Sequence, residues 1–153
     1  MPTPTRSTPR AVALVLDGHS RAAAETVLAL PRDVEVHVSA SSDDCLCFAS
    51  PRVAQRWRQP TDPAEFVVWL ERQDEQHGYA LIVPVTETSL VALKSHAMPP
   101  ALRAKAVIGD EDAIDVALSK DRTARVAESL GIRVPKGRPV SYTHLTLPTI
   151  CSV

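Results

Sequence analysis

Two short segments hold the residue types that could do chemistry: Asp17-Gly18-His19-Ser20 and Pro84-Val85-Thr86-Glu87-Thr88-Ser89. Each follows an apolar run and precedes a helical pattern, so each stands where a strand hands over to a helix. The free backbone N–H groups of a helix start attract anions, and a glycine lets the backbone turn tightly or come close to a ligand. Gly18, His19 and Ser20 are therefore one candidate ligand loop, and Thr86 and Glu87 a second. The simpler reading of the first loop is a turn with Ser20 as the helix cap. In the second, Glu87 could meet an amine or a metal. It is also what a first-turn acid looks like when it only favours the helix dipole. A third candidate is Lys120, at the first position of a later helix, where a cation faces the positive end of the dipole. A bound phosphate would account for it, and so would a solvated lysine.

Other constellations fall short. The histidines at 19, 37, 77, 96 and 144 show no ligand spacing. Cys45-x-Cys47 is one residue short of a zinc pair and has no second pair, so no metal site is expected. No Ser/His/Asp order stands out for nucleophilic catalysis. One glycine after the first apolar run is not G-x-G-x-x-G, which argues against a nicotinamide-dependent enzyme. Trp57 and Trp69 read as packing residues.

The elements that must position these residues can be read from periodicity. Ala11 to Leu16 is a continuous apolar run, as expected of a strand buried on both faces. Ser20 caps a helix with Ala23, Val27 and Leu30 on one face, stopped by Pro31. Val34 to Val38 is a second strand. Residues 41–61 read as an irregular loop with a short helix near Pro51 to Gln55. Asp62, Pro63 and Glu65 are a strong helix start, and Gly78 lies beyond that helix's end. Ala80 to Val85 is a third strand, closed by Pro84. Thr86 can cap a helix carrying Leu90 and Leu93. A short fourth strand is expected near Ala104 to Ile108, then a helix opened by Asp110, Glu111 and Asp112. Alternating strands and helices predict an α/β fold: a small Rossmann-like parallel sheet of about four strands with flanking helices. A C-terminal linker helix follows. It is capped by Ser119 and ended by Gly131, with Pro135 beyond.

Length and composition narrow the class. The chain has 153 residues, 44% hydrophobic and 23% charged, with a net charge of −1. That is enough for one domain with a real core. It supplies no basic footprint, so neither a nucleic acid nor a membrane is expected as partner. The three cysteines are an odd count with no secretory signal, and no apolar run approaches a membrane span, so a cytoplasmic location is expected. Oligomeric state is not legible.

SKDRTARVAESLGIRVP, residues 119–135, resembles the linker helix of the ATP-grasp superfamily, where a DK-type start leads to a helix ending in LGIPVP. VALVLDGHSRAAAETVLAL, VEVHVSASS, RVAQRWRQP and YALIVPVTETSLVAL resemble, in that order, the pre-ATP-grasp domain of carbamoyl-phosphate-synthase-like carboxylate–amine ligases. The resemblance covers about residues 11–135. It implies a parent enzyme that uses ATP and Mg2+ to activate a carboxylate as an acyl phosphate, which an amine then attacks. Only Lys120 carries over as a residue that reaches nucleotide phosphate. Ser119 replaces the aspartate of the pattern and Arg133 the proline of LGIPVP. The implied division is a disordered 1–10, a pre-ATP-grasp domain at 11–118, the start of a truncated ATP-grasp domain at 119–139, and a tail at 140–153. The family's magnesium ligands and second phosphate lysine would lie beyond this chain. The fragment itself is then expected to be inactive.

Residues 139–153 contain no Asp, Glu, Lys or Arg. VSYTHLTLPT, residues 140–149, resembles a translated sequencing-library adapter. That resemblance implies that the natural sequence stops near Pro139 and that the tail is an assembly artefact, so that Tyr142, His144 and Cys151 carry no functional weight. A rival from another class is a stand-alone Rossmann-like domain that binds a small molecule or a partner without catalysis.

Overall fold

The computed structural model describes residues 11–96 and 98–135. The Pro- and Thr-rich start and the charge-free tail, both singled out above, lie outside the described residues. Two compact units divide after Ile114. The first holds an all-parallel, four-stranded sheet in the order β3-β2-β1-β4, built from β1 (Val12–Val15), β2 (Glu35–Ala40), β3 (Val53–Arg58) and β4 (Leu81–Val83). Six helices accompany it among the described residues: α1 (Arg21–Ala29), α2 (Pro63–His77), α3 (Glu87–Ser95), α4 (Pro100–Arg103), α5 (Glu111–Leu118) and α6 (Lys120–Ser129). This is a small Rossmann-like α/β fold. No helix among the described residues is long and apolar enough to cross a membrane.

Each boundary has a local cause. Ser20 Oγ accepts from Ala23 N–H at 3.1 Å and starts α1. Asp62 Oδ1 accepts from the N–H groups of Ala64 and Glu65, both at 3.0 Å, with Pro63 preset at the first position of α2. Gly78, at φ 60°, ends α2 in the left-handed conformation that glycine adopts without strain. Asp110 Oδ1 accepts from Ala113 N–H at 2.7 Å at the start of α5.

Strand periodicity then sorts the core onto two faces. Leu14 and Leu16 join Ile82, Phe66, Leu70 and Tyr79 beneath α2 and α3. Val15 joins Val36, Val38, Ala23 and Val27 beneath α1. Leu14, Leu16 and Leu70 are fully buried. Each contributes about 1.5–3 kcal/mol relative to exposure.

Two expectations fail. The segment read as a loop with a helix near Pro51 to Gln55 is edge strand β3, paired in parallel with β2 from Val36↔Val53 to Ala40↔Arg58. VAQRWR hides its strand character because it lies at the sheet edge and exposes most of its side chains. The local helix is instead a 3-10 turn at Leu46–Ala49. The strand expected near Ala104 to Ile108 reduces to one parallel bridge, Ile82↔Ala106. The chain enters it straight from α4 and leaves through Gly109, so its ladder is the pair of bonds around Ile82: Ile82 N–H to Lys105 O and Val107 N–H to Ile82 O.

The strand order matters for function. The chain steps outward from β1 to β2 to β3, then returns through α2 to place β4 on the other side of β1. That reversal is a topological switch point, and the crevice it opens at the carboxyl ends of β1 and β4 is where open α/β sheets take ligands.

Candidate functional site

The switch point is organised by Asp17, two residues past β1, which opens the first candidate loop but was not itself among the candidate ligand residues. It is 1% exposed and, among the described residues, the only non-glycine at positive φ (58°). Aspartate tolerates that conformation better than most residues. Its carboxylate gathers four donors. Oδ2 accepts from Ser89 Oγ at 2.5 Å, Thr86 N–H at 2.9 Å and Val85 N–H at 3.3 Å, and Oδ1 accepts from Gln59 Nε2 at 3.1 Å. Gln59 Oε1 in turn accepts from Ser39 Oγ at 2.7 Å and from Asp17 N–H at 3.4 Å. One buried network thus joins the carboxyl ends of all four strands. A hydroxyl donating to a carboxylate at 2.5 Å is the strong, charge-assisted kind of hydrogen bond.

This network is the floor of a pocket of about 190 Å3. Phe66, Pro60 and Ala92 supply an apolar wall, while His19, Thr61 and Thr88 stand at the exposed rim. No lysine or arginine lines it. Drug-sized ligands occupy roughly 300–1,000 Å3, so this pocket suits something smaller.

The sequence-based candidates separate here. Gly18 does not line the pocket, and the reason for glycine is close packing rather than a turn. An added Cβ would meet Val38 Cγ1 at 2.4 Å and Cys45 Sγ at 2.9 Å. His19 reaches the rim. The Ser20 hydroxyl is taken by the α1 cap. Thr86 holds the cap position of α3, yet its hydroxyl makes no capping bond and is buried without a partner. Asp17, distant in sequence, instead ties down the helix start through the Thr86 N–H and the Ser89 hydroxyl. Glu87 is an exposed first-turn acid of α3 and does not line the pocket. Lys120 opens α6 in the second unit, exposed, with Ser119 Oγ accepting from Arg122 N–H at 3.3 Å behind it.

ATP does not fit this pocket, which lacks both the volume and the cations for a triphosphate. Nor, among the described residues, do three or more His, Cys, Asp or Glu side chains gather to hold a metal ion. Cys45 and Cys47 are buried free thiols. Burial, with Cys45 beside it, pushes the Cys47 thiol up to about 11, which makes it a poor nucleophile and a poor ligand.

Apart from the pocket, the same face of β2 carries a second polar cluster. His37, 2% exposed, has Nδ1 3.1 Å from the Tyr79 hydroxyl and Nε2 3.1 Å from Glu35 Oε1. The His77 ring meets it edge-on at 5.0 Å and lies 5.1 Å from Trp57. Burial holds His37 below the usual histidine range, and it pushes the Tyr79 phenol up. Nothing in the spacing of the histidines pointed to this cluster, because His37, His77 and Tyr79 meet only once α2 folds back over the sheet. No protein-family model matches the chain, and no curated protein matches it in sequence.

Proposed function

We propose that this chain is the pre-ATP-grasp portion of an ATP-dependent carboxylate–amine ligase, with little nucleotide chemistry of its own. The observation that carries the reading is α6. Ser119 caps it and Gly131, at φ 74°, follows its end, as in the linker helix it resembles. Val126, Leu130 and Ile132 remain 42%, 70% and 57% exposed, and no residue of α6 is buried. Apolar residues left in water on a well-capped helix fit a surface made to receive further protein. In the parent, ATP and Mg2+ convert a carboxylate to an acyl phosphate with release of ADP, and an amine displaces the phosphate. Lys120 is the residue of this chain proposed to approach nucleotide phosphate.

The test is a polypeptide in which this chain is continued by an ATP-grasp domain. It should release ADP only when a suitable acid and amine are both present. A continuation without acidic magnesium ligands and a second phosphate-binding lysine would reject the reading.

A second reading rests on the switch-point pocket, which has the position and the polar floor of a binding site without any catalytic arrangement. As a stand-alone binding domain, the chain would take a small polar molecule there. Amide chemical shifts of His19, Thr61 and Thr88 should respond to such a ligand in the absence of nucleotide. A fragment that ignores small metabolites but gains affinity for ATP would contradict it.

A further inference from the structure

We propose that the His37–His77 pair is a proton-operated device that loosens the floor of the switch-point pocket in mildly acidic solution. The inference rests on the pocket being the site, but it concerns the floor itself and can be read without a ligand.

The two clusters share one face of β2. Glu35, His37 and Ser39 alternate toward α2, so the residue that anchors Gln59 is the next inward position after His37. β3 makes a second link. Trp57, opposite Ser39 in the register, lies against His77, and two residues later Gln59 reaches Asp17. Movement of either ring is therefore felt at the residue that orders Asp17.

The groups that face His37 set the response. From β2 it meets Glu35; from the end of α2, His77; from the lead into β4, Tyr79; and from β3, the uncharged Trp57. Asp74, near by on α2, is held by Lys105 Nζ at 2.7 and 2.8 Å and accepts from Tyr79 N–H. With His37 neutral, Nε2–H donates to Glu35 and Nδ1 accepts from the Tyr79 hydroxyl. A second proton must sit on Nδ1. The Tyr79 hydroxyl hydrogen then has to rotate away so that its oxygen accepts from Nδ1–H, and a buried cation faces the His77 ring. His77 offers little relief, since its Nε2 is buried without a partner. Glu35, partly open to water, offsets that charge only in part. Relief comes from separating β3 and the end of α2 from β2. Burial, which already holds His37 below its ordinary range, has the same sense: the closed arrangement belongs to the neutral ring.

Amide hydrogen exchange of the full chain, followed by NMR at pH 7.5 and 5.5 and corrected for intrinsic exchange, tests the device. It is run in a His19→Gln background so that the pocket's own imidazole cannot report. Protection at Asp17, Gly18, Gln59 and Thr86 should fall severalfold at the lower pH. Protection at Val27, on the opposite face, should fall less, by no more than the loss of global stability. His77→Gln, at a half-buried site that need not disturb the fold, should reduce the loss. An equal fall at Val27 would mean global destabilisation and overturn the coupling. So would unchanged protection at the floor while the histidine ring signals titrate, or a loss that His77→Gln leaves intact. Failure here leaves the pocket as a site untouched, whereas absence of any small-ligand response removes the site and not the device.

Discussion

Asp17 does the work of several residues. It accepts from four donors drawn from β3 and from the start of α3. Replacing it by alanine strands those donors in a buried site and puts an unsuited residue at positive φ. Asp17→Ala should cost about 3 kcal/mol of stability, since each buried unsatisfied group costs roughly 1–3 kcal/mol. Asp17→Asn keeps a side chain that tolerates the same backbone and retains an acceptor, so urea denaturation should show it losing distinctly less. Gly18 fails for a different reason. Gly18→Ala drives a methyl into Val38, whose branched side chain has little freedom to yield, and overpacking of this kind costs about 1–3 kcal/mol. Val38→Ala in the same chain should recover part of that loss, and a double-mutant cycle would measure how much.

At the scale of the element, β2 joins an apolar face to a polar one. Val36, Val38 and Ala40 pack under α1, whereas His37 and Ser39 carry the two networks. The buried His37 makes stability depend on pH. Its folded value lies below its unfolded one, so the unfolded chain binds the extra proton. Its contribution is complete above the ordinary histidine value, about 6.5, and is lost as pH falls from there toward the folded value. Chemical denaturation at pH 7.5 and 5.5 should show lower stability at the acidic point, with a weaker dependence in His37→Asn. β3 shows what sequence patterns miss. Its arginines are committed locally, Arg56 to the Phe48 carbonyl at 2.7 Å and Arg58 to Asp43 at 3.4 Å. Only pairing with β2 makes this polar stretch a strand, and periodicity cannot display a partner.

For the molecule as a whole, the two compact units differ in how they are held. The first has a sheet with a core on each face. In the second, α6 buries none of its residues, and a ten-residue helix without tertiary packing is marginal in water. Its amides, from Thr123 to Gly131, should exchange with little protection, while those of β1 should open only with global unfolding. Strong protection throughout α6 in the isolated chain would show that it already has a partner, and would remove the support it gives to the ligase proposal.

The residues by themselves determined the fold class and most of the elements. Apolar runs marked β1 and β4, the β-rich VEVHV marked β2, and Ser20, Asp62, Pro63, Gly78, Ser119 and Gly131 marked helix ends, because caps and buried strands depend on near neighbours. His19 was legible at the site for the same reason: it follows a strand. Tertiary structure alone decided the rest. Asp17, Gln59, Ser89 and Ser39 come from separate stretches of chain, and their hydrogen bonds exist only after the β1–β4 reversal brings the strand ends together. The same closure ties the start of α3 to Asp17, and Ala104 to Ile108 makes one bridge rather than a strand. Local rules see a residue's neighbours along the chain, whereas a buried polar group is settled by whichever donor or acceptor the fold carries to it.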